Sequence, residues 1–313
     1  MLRKIRVVIA IVFFCLITFL FLDFTGTAHE CWSWLAKIQF IPSLLALNVV
    51  VLVGLVLLTL LLGRIYCSVI CPLGVMQDLF AWLGKRFKKN RYSYSSEKKI
   101  VRYVILALFI LLLVIPGTSV IANLIEPYSA YGRIANVLLS PVYQWCNNIL
   151  ASFSEERGSY TFYQVDIWMK GVAVLVVAVL TLLAVGFLAW RNGRTWCNTV
   201  CPVGTILGFL SRFSLFKVMI DEQKCTSCGL CARNCKGSCI DHKEHKIDYS
   251  RCVVCLDCVE KCNKKAIGYE PRYKGKTVEK EKQEESSVDT SRRQFLTVGA
   301  MMVAGATIEA QAK

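Results

Sequence analysis

The sequence predicts an all-α membrane domain of four transmembrane helices, arranged as two parallel repeats, followed by a small α+β domain. Three observations predict it: four apolar runs of spanning length, a twelve-residue motif that recurs 130 positions later, and eight cysteines in two copies of one spacing. Composition sets the class. A 313-residue chain that is 55% hydrophobic, with a mean hydropathy of +0.48, is too apolar for an ordinary soluble domain of that length. The formal charge of +15 lies mostly on the flanks of the apolar runs and around the cysteine motifs. Positive cytoplasmic flanks account for it, and with no basic recognition module the reading excludes nucleic acid as a partner.

The apolar runs are residues 7–22, 44–62, 101–125 and 172–190, each near the roughly 20 residues that cross hydrocarbon as a helix. Arg3, Lys4 and Arg6 precede the first as in a signal peptide, but no small-residue cleavage site follows at the usual distance, so it reads as a retained helix. Pro116 and Gly117 are expected to kink the third. Residues 63–102 carry nine Lys or Arg against only Asp78 and Glu97, which assigns that side to the cytoplasm. Segments 23–42 and 123–170 hold Trp32, Trp34, Trp145 and Trp168, which suit a headgroup boundary on the opposite side.

The stretch GRIYCSVICPLG, residues 63–74, returns as GRTWCNTVCPVG, residues 193–204, with Gly, Arg, both cysteines, Pro and Gly in register. This duplication divides a membrane domain of residues 1–215 into repeats of about 1–92 and 93–215, related by an axis near the membrane normal. Cys67, Cys71, Cys197 and Cys201 are expected to converge at the cytoplasmic ends of the second and fourth helices. Where each stretch is helical, positions i and i+4 share a face. Pro72 and Pro202 suit a first helical turn or a helix break. Three roles are open to the thiols: a further redox centre, thiol exchange, or inert filling of a tight helix-end turn.

Residues 216–272 hold Cys225-x2-Cys228-x2-Cys231-x3-Cys235 and Cys252-x2-Cys255-x2-Cys258-x3-Cys262, the spacing of a bacterial 2[4Fe-4S] ferredoxin domain. Three thiolates of one motif take three corners of a [4Fe-4S] cube, and the fourth cysteine of the other motif caps it. Cys225, Cys228, Cys231 and Cys262 are therefore expected on one cluster, and Cys252, Cys255, Cys258 and Cys235 on the other. Zinc needs only four ligands per ion, so eight cysteines in this duplicated spacing exceed its demand. Lys236 and Asn263 stand where such motifs usually carry proline. The eight thiols must stay reduced and fall on the cytoplasmic side, whereas Cys31 and Cys146 fall outside, where a disulfide between them is open. Cys15 and Cys239 read as packing residues. His29, His242 and His245 all lie outside the apolar runs and no C-x-x-C-H occurs, so no haem is expected.

On the two C-x3-C-P motifs and the paired ferredoxin motifs, residues 1–272 resemble the membrane quinol-dehydrogenase subunits of periplasmic nitrate reductase systems, the NapH type, with the related NosR and MauN membrane ferredoxins. The resemblance implies a multi-pass protein of the bacterial inner membrane, with its N-terminus and ferredoxin domain in the cytoplasm. It would take electrons from the membrane quinone pool and pass them through two [4Fe-4S] clusters to an extracytoplasmic reductase or an exported ferredoxin partner. The alternative is a non-catalytic electron carrier or assembly factor that keeps a partner's cofactor or metal centre reduced. If quinol is oxidised, Asp23 and Glu126, at equivalent outward ends of the first and third helices, are candidate proton acceptors; the plainer reading is a pair of solvated helix-end charges. Residues 273–290 have the composition of a charged linker. Residues 291–313 resemble a twin-arginine signal built on Arg292 and Arg293, which predicts a fused, exported NapG-type ferredoxin beyond residue 313. The competing expectation is a fifth helix.

Overall fold

A computed structural model describes residues 1–87, 92–115, 117–156, 163–167 and 170–272. Pro116, Trp168, the linker 273–290 and the segment 291–313 lie outside the described residues. Met1–Tyr269 packs as one compact unit, and Glu270–Lys313 falls in a second.

Among the described residues two helices are long and apolar enough to cross a membrane, Leu2–Leu22 and Val172–Asn192, each of 21 residues. The other two apolar runs are shortened by local breaks. In the second, Phe40–Leu45 ends before Asn48, whose side chain accepts from Val51 N at 3.3 Å and starts a new helix, Val49–Leu62. Its 14 residues reach about 21 Å, short of the roughly 30 Å hydrocarbon core. The third run is divided into Lys99–Val114 and Ser119–Ile125, with Gly117 between them at φ +89°. Beyond Glu126 the helix Pro127–Ile134 packs on Pro72–Phe87 and Val172–Asn192, so this segment turns back into the bundle. Ile17, Leu35, Tyr66, Leu73, Phe109 and Tyr131 anchor the shared core.

The C-terminal part is α+β. Strand β1 (Phe216–Ile220) pairs with β4 (Ile267–Pro271), and β2 (Ile240–Asp241) runs antiparallel to β3 (Lys246–Ile247). Two short helices, Leu230–Asn234 and Asp257–Lys261, pack against each other between them in sequence. This part is joined to the helical bundle by backbone as well as side chains: Leu215 N donates to Leu60 O at 2.7 Å, Tyr269 Oη to Leu62 O at 2.9 Å, and Ser211 Oγ to Tyr249 O at 2.8 Å.

Candidate electron-transfer site

The duplicated motif folds twice into one turn. Gly63 (φ +74°) and Gly193 (φ +71°) take positive φ values that side chains resist, and each opens a five-residue helix, Ile65–Val69 or Thr195–Thr199. The chain then bends: Cys71 N donates to Tyr66 O and Cys201 N to Trp196 O, both at 3.0 Å. Pro72 and Pro202 open the next helices, Pro72–Phe87 and Pro202–Ser211, where a missing N–H costs nothing. Cys67 and Cys71 therefore belong to a helix and the bend after it rather than to one helical face. The last glycine of each motif lets that bend close, since a Cβ on Gly74 would stand 2.2 Å from Cys67 O, and one on Gly204 2.1 Å from Cys197 O.

Two arginines lock the copies together. Arg64 Nη2 donates to Cys197 O at 3.2 Å and Arg194 Nη1 to Cys67 O at 2.6 Å, so each repeat's arginine binds the other repeat's cysteine turn. Cys67, Cys71, Cys197 and Cys201 are all buried and free. Gln77 Nε2 reaches Cys197 Sγ at 3.2 Å, and Gly204 N reaches Cys201 Sγ at 3.4 Å.

Next to this site lies a buried charge network that seats the ferredoxin part. Asp78 meets Arg194 at 2.8 Å, Arg6 at 3.2 Å and Lys236 at 3.3 Å; Lys236 also meets Asp257 at 3.1 Å, and Arg3 meets Asp257 at 2.6 Å. Burial alone would raise the Asp78 carboxyl, but Arg194 and Lys236 overcome it and hold the group well below the usual carboxylate range. The departure from proline at position 236 thus has a structural use: the Lys236 side chain bridges two carboxylates while its carbonyl accepts from Arg194 N at 2.9 Å.

The ferredoxin cysteines line two cavities. Cys225, Cys228, Cys231 and Cys262 surround one of about 170 Å³. Cys235, Cys252, Cys255 and Cys258 surround a narrower one of about 10 Å³, with Cys239 among them. Each cavity draws three thiols from one motif and one from the other, a donor set that suits a [4Fe-4S] cube. Among the described residues no three His, Cys, Asp or Glu side chains gather tightly enough to share a single ion. Cys228 is exposed and Cys225 half-buried, whereas Cys255 packs in the same core as Cys67, Cys71 and Cys201, so the second cavity adjoins the duplicated turns.

Other expectations fare unequally. Cys239, expected to be a packing residue, is buried in the core of the ferredoxin part, and its Sγ lies 3.4 Å from Cys235 Sγ. Asp23 caps a surface turn, accepting from Thr25 N, Gly26 N and His29 N at 2.9–3.0 Å. Glu126 is 2% exposed; Oε2 accepts from Ser129 N at 2.8 Å, and Oε1 has no partner among the described residues. Burial raises its carboxyl above the ordinary value, only partly opposed by the Ser129 hydrogen bonds. Cys31 and Cys146 are both free and exposed.

A duplicated, interlocked thiol site fused to a two-cavity ferredoxin fold defines a membrane iron–sulfur electron-transfer protein. A family model described as a 4Fe-4S binding domain matches residues 44–90 and again 171–220. Similarity extends to the ferredoxin-type protein NapH of Escherichia coli strain K12, at 27% identity over 72% of this chain and 69% of NapH. The methylamine utilization ferredoxin-type protein MauN of Methylobacillus flagellatus is 28% identical over 55% of this chain and 48% of MauN. YccM of Escherichia coli strain K12 is 26% identical over 71% of this chain and 55% of YccM, so the chain spans about half the length of the last two relatives. The chain is thus similar to ferredoxin-type proteins of the NapH and MauN kinds over its membrane and cysteine-motif segments. No solved structure matches it.

Proposed function

We propose that this protein oxidises membrane quinol and passes the electrons through two [4Fe-4S] clusters toward an extracytoplasmic reductase or an exported ferredoxin. Its seat is the bacterial inner membrane, multi-pass, with the ferredoxin part in the cytoplasm. The observation that carries the reading is the unbroken packing of Cys255, in the second cavity, against the core that holds Cys67, Cys71 and Cys201. The clusters, when bound, supply one-electron acceptors; Cys225, Cys228, Cys231 and Cys262 hold one, and Cys252, Cys255, Cys258 and Cys235 the other.

Oxidation of a quinol to a quinone releases two electrons and two protons, so the site needs a base as well as a wire. Glu126 suits that task, being buried, with one carboxylate oxygen unpartnered among the described residues and its proton affinity raised. Asp23 is occupied with capping its own turn. An apolar groove of about 740 Å³ between Pro72–Phe87 and Val172–Asn192, lined by Phe80, Gly186 and Trp190, can accept an isoprenoid quinol.

The test is addition of a reduced short-chain quinol to anaerobically purified full-length protein, followed by the bleaching of its iron–sulfur absorption. Quinol should bleach wild type, and Glu126→Gln should slow the reaction without lowering iron content. Protein that dithionite bleaches but quinol does not would be a carrier lacking a quinone site.

A further inference from the structure

We propose that Cys67, Cys71, Cys197 and Cys201 together ligate a third iron–sulfur cluster, a single centre shared between the two repeats. Each repeat contributes half of the ligand set. The two cysteine turns have the same hydrogen-bonded form, are held face to face by the crossed Arg64 and Arg194, and keep all four thiols at 2–3% exposure.

The charge inventory points to an anion at this place. Arg64 and Arg194 occupy equivalent positions and both are fully buried, yet among the described residues only Arg194 of the two meets a carboxylate. Its partner Asp78 corresponds, 130 residues on, to Gly208, where a Cβ would stand 2.5 Å from Ser250 O. Arg64 is left with neutral oxygens, Asn198 Oδ1 at 2.9 Å, Ser250 O at 2.8 Å and Cys197 O at 3.2 Å, together with Cys67 Sγ at 3.9 Å. A buried guanidinium without a counter-charge is strongly disfavoured. An iron–sulfur cluster held by these four thiolates is a net anion that meets Arg64 at Cys67, alongside Cys252 of the second ferredoxin cluster, which interacts with the same guanidinium.

The donors around the sulfurs agree. Gln77 Nε2 and Gly204 N point at Cys197 and Cys201, the kind of hydrogen bond that tunes thiolate ligands of iron–sulfur clusters. Inert thiols would have no need of two N–H donors and a buried cation. Both segments matched by the 4Fe-4S family model contain these cysteines and end before Cys225.

The inference rests on the proposed quinol reading only for the role of the centre, as the first acceptor beside Cys255, and not for its presence. Full-length protein, reconstituted anaerobically with iron and sulfide, is analysed for both per chain. The two ferredoxin clusters alone account for about eight irons. The expected value is about ten to twelve, falling to about eight in the variant with all four cysteines changed to Ser, whose reduced EPR spectrum keeps the two ferredoxin signals. Should that variant fail to accumulate, Cys71→Ser and Cys201→Ser singly serve, each expected to lose the excess iron alone. Wild type at about eight irons, variants that lose no iron, or zinc in place of the excess iron would each overturn the proposal. No quinol enters the assay, so its failure is distinct from failure of quinol oxidation.

Discussion

Asp78→Asn removes the one carboxylate that Arg194, Arg6 and Lys236 share while preserving shape and volume. Three cations then face each other, with Asp257 left for Lys236, and Asp257 and Glu260 for Arg3. Breaking a buried ion pair by deleting one partner costs about 3–5 kcal/mol, and Asp78, at 13% side-chain exposure, is too buried for solvent to screen much of that. Its three partners come from the first helix, the second repeat's motif and the ferredoxin segment, so the loss falls on the docking of the three. At about 1.4 kcal/mol per tenfold, the docked state should weaken by roughly two to four powers of ten. The assay is tryptic release of the ferredoxin segment from detergent-solubilised protein, alongside thermal unfolding. The pH dependence gives a second reading. The Asp78 carboxyl is lowered, so its ion pairs contribute in full above about pH 4 and are lost as pH falls through the depressed folded-state value. The variant lacks this acid-labile part and should lose less stability than wild type on acidification. Unchanged proteolysis and an unchanged melting midpoint would refute the reasoning, because they would mean that the three cations need no shared anion.

Cys262→Ala should remove the EPR signal of the cluster held by Cys225, Cys228 and Cys231 and leave the other, since Cys262 lines their cavity. Gly74→Ala and Gly204→Ala each drive a methyl group into a buried carbonyl and should destabilise by about 3 kcal/mol or more in thermal unfolding, whereas Gly54→Ala, with nothing within 4 Å of the new methyl, should not destabilise. Cys239→Ala should keep full iron content but shift the potential of the second ferredoxin cluster in a redox titration, because its thiol touches the Cys235 sulfur at 3.4 Å.

The duplication was readable because six positions of the motif recur in register, and the cysteine spacing alone announced an iron–sulfur segment. The crossing of Arg64 and Arg194 was not readable, since a local motif carries no sign of which copy its arginine will serve. Hydropathy carried no sign of the helix start at Asn48 or the positive φ at Gly117 that divide the second and third runs, because a running average does not register backbone breaks. Asp23 and Glu126 looked alike as acids following an apolar run; the turn at Thr25–Gly26 and the return of Pro127–Ile134 into the bundle set them apart. Lys236 was visible as a missing proline, but its reason lies in Asp78 and Asp257, distant in sequence from it. One signal was available and unread: aligning the repeats sets Asp78 against Gly208 and Gln77 against Leu207.

That mismatch bears on how a duplicated membrane unit can carry one appendage. A strictly two-fold unit offers two equal berths, and a single tethered ferredoxin would divide its time between them. Here the berths are unlike. On one, Asp78 draws Lys236 and the Cys235 turn; on the other, bare Gly208 leaves space that the Ser250 carbonyl fills. Swapping the two residues, Asp78→Gly with Gly208→Asp, would take the carboxylate from Lys236 and drive a side chain into the Ser250 carbonyl. The loss of symmetry at one pair of positions is what gives the appended domain a single place to stand.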